Sequence, residues 1–171
     1  LKSQPDFETK SVYSISVVST DAGGKSYSKA FKISISDAND TPSITSTSIT
    51  ASKEDSAYSY KFAASDVDSG DTVTYAAVTL PSWLTFDADT GVLSGTPTNS
   101  EVGTHSVVLT ATDSSGAVDT QSFAITVSNV NDTPTVTSTA VTKAKEDSAY
   151  SYAFAASDVD TGDTISYAAT T

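Results

Sequence analysis

The residues best equipped for chemistry here are carboxylates at a fixed spacing. Asp37-Ala38-Asn39-Asp40-Thr41-Pro42 returns 92 positions later as Asn129-Val130-Asn131-Asp132-Thr133-Pro134, and Asp66-Val67-Asp68 returns at the same offset as Asp158-Val159-Asp160. The offset also carries Glu54 onto Glu146, Asp21 onto Asp113 and Phe31 onto Phe123. On an extended or turning backbone, oxygen ligands two residues apart can converge on one hard cation. Calcium takes about six to eight oxygens near ~2.4 Å, mixing carboxylates, amide or backbone carbonyls and water, and Asp-x-Asn-Asp with Asp-x-Asp supplies that mix. Magnesium prefers a rigid octahedron with several retained waters, which suits a cage drawn from separate turns poorly. Asp, Asn and Gly also favour turns for their own sake. That preference alone predicts scattered acids, whereas these recur at set positions of a repeat.

The charge balance points toward cations as well. Net charge is −12, from 21 acids against nine lysines, which disfavours nucleic acid or anionic lipid as a partner, since both need a basic surface. The acids are 17 aspartates and only four glutamates, and aspartate is the turn-forming carboxylate, so the charge sits in turns. Cysteine is absent, which removes disulfides, thiolate metal sites and a cysteine nucleophile. His105, the only histidine, has no second histidine or serine motif for a zinc site or a triad, and reads as a strand residue. Asp87 and Asp89 are the nearest approach to the carboxylate pair of glycoside hydrolysis, but both fall in one hairpin turn. No catalysis is expected. Trp83 is expected in the core, while Tyr58 and Tyr60, like Tyr150 and Tyr152, alternate with serines and are the only aromatics placed to meet a ligand. No run approaches the ~20 apolar residues of a bilayer span, and nothing resembles a signal peptide, so this segment is not expected to insert directly into a membrane.

The elements that position the acids read as strands. Val12 to Val17 alternates apolar and polar, Asp21-Ala22-Gly23-Gly24 turns, and Ala30 to Ile35 returns into the first hinge, with Phe31, Ile33 and Ile35 on a face expected to be core, as for Phe123, Ile125 and Val127. Between the hinges, strands are expected over Ile44 to Ala51, through Tyr58, Tyr60 and Phe62, and through Val73, Tyr75 and Ala77. Two more, Leu84 to Phe86 and Val92 to Gly95, flank a tight turn at Asp87 to Gly91. They are followed by a sixth through His105, Val107, Leu109 and Ala111 and a last one ending at Val127. No stretch carries a helical period. The expected fold is all-β: tandem seven-stranded immunoglobulin- or cadherin-like Greek-key sandwiches joined end to end. Residues 1–40 are expected to be the C-terminal part of one domain, 41–132 a complete domain and 133–171 the N-terminal part of a third, as in a window of a longer array.

Those residues carry a specific resemblance. Asp37-Ala38-Asn39-Asp40 resembles the calcium-binding DxND linker of cadherin repeats, Asp66-Val67-Asp68 their DxD and Asp6-Phe7-Glu8 their DxE. The stretches from Lys53 to Ala77 and from Phe86 to Gly116 resemble bacterial dystroglycan-type cadherin-like repeats of large surface adhesins. The resemblance implies calcium held between consecutive domains. At the first junction the ligands would be Asp6, Glu8, Asp37, Asn39, Asp40, Asp66, Asp68 and Asp113. At the second they would be Glu54, Glu101, Asn129, Asn131, Asp132, Asp158 and Asp160, with Asp21 and Glu146 directed to junctions further along an array. Asn99 is aligned with Asp6 of the first unit, and Asn129 with Asp37, which makes the second junction the weaker. The implied role is adhesion or a stalk in a secreted or surface-held bacterial protein, with partners among cell-surface proteins, further copies of itself, or glycans. A carbohydrate-binding array of a secreted polysaccharide-active protein, and a homophilic protein-binding module, are the alternative readings.

Overall fold

In the computed structural model residues 4–170 are described, and nearly all regular structure among them is β. Strands β1 (Val12–Thr20) and β2 (Ser26–Ser34) form an antiparallel hairpin that sets Tyr13 opposite Ile33 and Ile15 opposite Phe31. Its loop is closed by the Asp21 carboxylate, which accepts the Gly23 and Lys25 N–H groups at 2.9 Å each. After the first hinge come β3 (Ser43–Ile44), β4 (Ala51–Lys53), β5 (Tyr58–Lys61), β6 (Ala64–Ser65), β7 (Thr74–Thr79), β8 (Leu84–Asp87) and β9 (Val92–Gly95). A 3₁₀ turn at Asn99–Glu101 precedes β10 (Gly103–Thr112) and β11 (Val118–Ser128), and past the second hinge lie β12 (Thr135–Val136) and β13 (Ala156–Ser157).

Strand orders β4-β11-β10-β7 and β5-β9-β8 define a four-stranded and a three-stranded sheet, and β3 pairs with β6. The first strand expected over Ile44 to Ala51 is broken. Ser43 and Ile44 pair antiparallel with Ser65 and Ala64, whereas Ala51 to Lys53 runs parallel to Thr126 to Ser128. A run whose two ends serve different partners cannot keep one ladder between them. The expected tight hairpin at Asp87 to Gly91 is present: Asp87 accepts the Asp89 and Thr90 N–H groups at 3.0 Å each, and Gly91 adopts φ +66°.

The chain divides into two compact units, each built from several segments. One gathers residues up to Ser46 with 63–76 and 109–121. In it Leu109 and Ala111 are fully buried, and polar groups tie the segments: Ile44 N–H donates to Asp119 (2.9 Å), the Gln121 amide to the Ser46 carbonyl (2.9 Å) and Ala63 N–H to the Ser46 hydroxyl (2.9 Å). The other gathers 47–62, 77–108 and the residues from Ser122 onward. Its core is Tyr58, Tyr60, Phe62, Leu84, Leu93, Val107, Ile125 and Val127. Edge-to-face ring pairs order it, Tyr60 on Phe123 at 5.7 Å and Phe62 on Phe86 at 6.2 Å. Burying each such large side chain contributes about 1.5–3 kcal/mol.

Two expectations about burial change. The hairpin face with Phe31, expected to be core, is largely exposed: Phe31 is 44% exposed and Val17 55%. Its counterparts on β10 and β11 are covered, with Leu109 and Ile125 at 0%. Alternation sets which face is apolar, but burial needs a second sheet against it. Trp83 is half-buried rather than a full core plug, its ring edge-to-face with Tyr58 (5.8 Å) and His105 (5.9 Å). Tyr58 and Tyr60 are themselves core residues, and the Tyr58 hydroxyl donates to the Ile49 carbonyl at 2.8 Å.

Candidate metal centre

The acidic turns are local structures before they are sites. In Asp66-Val67-Asp68-Ser69-Gly70-Asp71 the Asp66 carboxylate accepts the Asp68 N–H (2.9 Å), Gly70 turns the chain at φ +97°, and Asp71 N–H donates to the Asp68 carbonyl (3.2 Å). The copy repeats each feature: Asp160 N–H to Asp158 (2.9 Å), Gly162 at φ +95°, Asp163 N–H to the Asp160 carbonyl (3.3 Å). Each hinge docks on its following turn by one backbone bond, Asp40 N–H to Asp68 at 2.8 Å and Asp132 N–H to Asp160 at 2.7 Å. Asn39 and Asn131 each brace the hinge by donating to the next residue's carbonyl at 2.8 Å.

Four groups of carboxylates have oxygens within 4.8 Å of one another among the described residues: Glu8, Asp40 and Asp68; Asp66, Asp71 and Asp113; Glu54, Asp132 and Asp160; and Asp158, Asp160 and Asp163. Every group contains a residue of an Asp-x-Asp turn. Glu54 reaches its place through a tight turn in which Asp55 takes φ +57°, a left-handed conformation that aspartate tolerates better than most residues. Its side chain is 1% exposed, and one oxygen accepts the Val130 N–H of the hinge.

The electrostatics of these groups are opposed. The Asn39 amide (2.9 Å), then the N–H groups of the Asp113 loop, hold the Asp113 carboxyl below the usual carboxylate range. The Asp132 N–H does the same for Asp160, helped by Asn129 and Asn99. Glu8 is raised: its own N–H pulls downward, but desolvation, Asp37 and Asp6 together outweigh it. Several buried oxygens, Glu54 Oε2, Asp66 Oδ2, Asp68 Oδ1 and Asp71 Oδ2, meet no hydrogen-bond partner within the protein. An unpaired buried carboxylate oxygen is costly, and a hard cation at the centre of these groups would satisfy it. The donor set therefore fits calcium.

Other expected ligands lie elsewhere. Asp6 accepts the Thr9 N–H (3.1 Å) and hydroxyl (2.8 Å), and Glu101 accepts the Thr98 N–H (2.8 Å) and hydroxyl (2.7 Å), so each caps its own turn and its carboxyl is lowered chiefly by that Thr hydroxyl. Asp21 caps the β1–β2 loop, and Glu146 and Asp37 are exposed outside the four groups. The alignment of Asn99 with Asp6 is corrected. The 92-residue period sets Asp6 at Thr98, each opening an equivalent turn, and sets Phe7 at Asn99. Asn99 nonetheless reaches the second hinge, donating to Asp160 at 3.0 Å. Asp71 and Asp163 were missed by sequence reasoning. The signal for them is the repeated spacing Asp-x-Asp-x-Gly-Asp.

A two-sheet β domain of this order defines a class, the immunoglobulin-like β modules. The chain belongs to the family described as "Putative Ig domain", whose profile matches residues 41–128. It is similar to the serine-rich adhesin for platelets of Staphylococcus aureus: 36% identity over 109 residues with the protein of strain MRSA252, covering 64% of this chain and 8% of that protein. The strain MSSA476 protein matches at 36% over 109 residues and 5% of its length. The chain thus spans under a tenth of the length of these curated relatives. Among solved structures, protocadherin gamma B7 cadherin domains 1–4 align with TM-score 0.56 and 20% identity over 92% of this chain and 43% of that one. Protocadherin gamma B2 domains 1–5 align with TM-score 0.58 and 21% identity over 92% and 34%. These likenesses establish the fold.

Proposed function

We propose that this chain is a calcium-stiffened, tandem cadherin-like segment of a bacterial extracellular adhesin or surface stalk, mediating cell adhesion. The observation that carries the reading is the set of buried, unpartnered carboxylate oxygens grouped at both hinges, with Glu54 almost wholly buried among them. Tandem arrangement is supported by local structure repeating with the 92-residue period. Asp55 and Asp147 share a left-handed conformation (φ +57° and +56°), and Tyr150 donates to Val141 (2.7 Å) as Tyr58 does to Ile49. Residues 41–132 then form the complete domain, with 1–40 and 133–171 belonging to its neighbours. Likeness to a staphylococcal adhesin supports the surface location and a partner among cell-surface proteins. Glycan capture is the weaker reading, because Tyr58 and Tyr60 are buried and, of the four tyrosines that alternate with serines, only Tyr150 is exposed, with its hydroxyl donated to the Val141 carbonyl.

Calcium would sit between carboxylates of one repeat and the Asp-x-Asp turn of the next, Asp40 with Asp68 and Asp132 with Asp160. Its charge offsets the mutual repulsion of the acids, so hinge and turn hold one geometry. Calorimetric titration tests this. Calcium should bind with Kd of about 10⁻⁴ to 10⁻³ M, the range of extracellular calcium modules. Asp68→Asn and Asp160→Asn should each weaken one class of site, and Glu54→Gln should weaken the second hinge alone. Absence of calcium binding, or sites unmoved by all three substitutions, refutes the reading.

A further inference from the structure

Between the two hinges, both sheets end on strands that follow one another in the chain. β4 is the last strand of β4-β11-β10-β7, and β5 is the last of β5-β9-β8. An open hollow of about 370 Å³ runs along the two edges, lined by Ile49, Ala51, Lys53, Ala57 and Ser59 together with the buried Tyr58. Hydrogen bonding fixes which backbone groups face it. Phe62 N–H donates to the Gly91 carbonyl at 2.8 Å, so in the antiparallel β5–β9 ladder residues 58, 60 and 62 turn their backbone groups toward β9, and Ser59 and Lys61 turn theirs away from it. On β4, Thr126 N–H donates to the Thr50 carbonyl (2.9 Å) and Glu54 N–H to the Ser128 carbonyl (3.1 Å), so residues 50, 52 and 54 face β11, and Ala51 and Lys53 turn outward. Little bulk stands over these edges, since Ala51, Ala57 and Ser59 are small, and Ile49, 46% exposed, offers an apolar contact beside them.

Charge singles out the same place. From Thr41 to Asp132 the sequence carries eleven acids and two lysines, Lys53 and Lys61. Both lysines stand at this hollow's edges. Lys53 lies on β4 and lines it, and Lys61 ends β5, where its ammonium donates to the Thr90 carbonyl beside Asp87. Lysine on an edge deters pairing with a second, identical edge, and the same charge attracts carboxylates. We propose that the β5 edge takes up an extended acidic peptide of another protein as an added strand. Its main chain would bond Ser59 and Lys61, an apolar side chain would rest against Ile49, and its carboxylates would lie toward Lys53 and Lys61. In strand addition the main-chain bonds supply affinity, and the alternation of side chains supplies selectivity. The site uses none of the grouped hinge carboxylates, so it goes beyond the calcium reading and does not rest on it.

Fluorescence anisotropy tests the proposal, with a labelled hexapeptide of alternating Glu and Val titrated by the 171-residue chain in chelator, and amide hydrogen exchange as a second readout. The peptide should bind although the chain carries a net charge of −12, and exchange at the Ser59 and Lys61 amides should slow. Lys53→Glu and Lys61→Glu should each weaken binding about tenfold. Ser59→Pro removes an N–H that β9 does not use, so it should abolish binding while the melting temperature holds. Two peptides N-methylated at alternate residues, one in each phase, give a check that needs no variant. The one blocked on its bonding edge should bind about tenfold more weakly, and the other should bind as the parent does. Absence of binding by the Glu-Val peptide overturns the proposal, as does equal affinity for a Lys-Val peptide or for both methylated peptides. Binding that leaves exchange at Ser59 and Lys61 unchanged places the peptide elsewhere and overturns it too. Protection of those amides in the chain alone, growing with its concentration, assigns the edge to a second copy and overturns it equally. Every arm is run without calcium, so this proposal and the calcium reading fail separately.

Discussion

Gly95 shows how one residue can fix a hairpin. It lies opposite Leu84 in the β8–β9 pair, and a Cβ there would stand 2.0 Å from the Trp83 carbonyl oxygen and 3.2 Å from its ring. Backbone cannot yield as a flexible side chain can. Gly95→Ala should therefore destabilise the domain by about 1–3 kcal/mol, the usual scale of overpacking, read as a lower urea midpoint at unchanged slope. The neighbouring turn predicts an acid sensitivity. The Thr90 N–H, then its hydroxyl and the Asp89 N–H, hold the Asp87 carboxyl below its ordinary value of 3.8. A carboxyl lowered by folding stabilises above its unfolded pKa, and that contribution fades as pH falls through the lower, folded value. Stability measured against pH should drop below about pH 4, and Asp87→Asn should flatten that acid limb while lowering stability at neutral pH.

At the scale of the element, the two hinges share a backbone plan but not a charge. Asp37 at the first is Asn129 at the second, and Asn129 with Asn99 hydrogen-bonds Asp160 where the first hinge has carboxylates near Glu8. An amide oxygen can ligate calcium but brings no charge, and affinity in carboxylate cages follows the charge count. Asp37 lies beside Glu8 but outside the carboxylate groups, so Asp37→Asn should weaken the first hinge through lost neighbouring charge, and Asn129→Asp should strengthen the second, each by about 1 kcal/mol or less of binding free energy. Calorimetry with the two classes of site resolved is the check, and the buried Glu54 should keep the second hinge from failing outright.

For the whole molecule, calcium should govern extension. Acids crowded at each hinge repel when no cation neutralises them, and a hinge freed of calcium should splay. Small-angle scattering should show a longer, narrower distribution of dimensions in calcium than in chelator, and calcium at 100 times its Kd should stabilise the docked form by ~2.7 kcal/mol. Unchanged scattering would detach the carboxylates from any mechanical role.

The sequence by itself determined the β class, the period and the acidic turns, because each is written in short-range terms. Alternation with period two marks a strand face, Asp and Gly at fixed offsets mark a turn, and a copied string folds into a copied local structure, as the Asp66 and Asp158 turns do bond for bond. Tertiary structure alone decided the rest. It broke the first strand, because the partners of Ser43 and Ala51 are distant in sequence. It turned Asp6 and Glu101 onto their own Thr neighbours and brought Asp71 and Asp163 into acidic groups, since convergence in space depends on how turns far apart in the chain meet. It also left Phe31 exposed while burying the counterparts around Phe123. Pattern specifies which face is apolar, and only a second sheet lying against that face removes it from water.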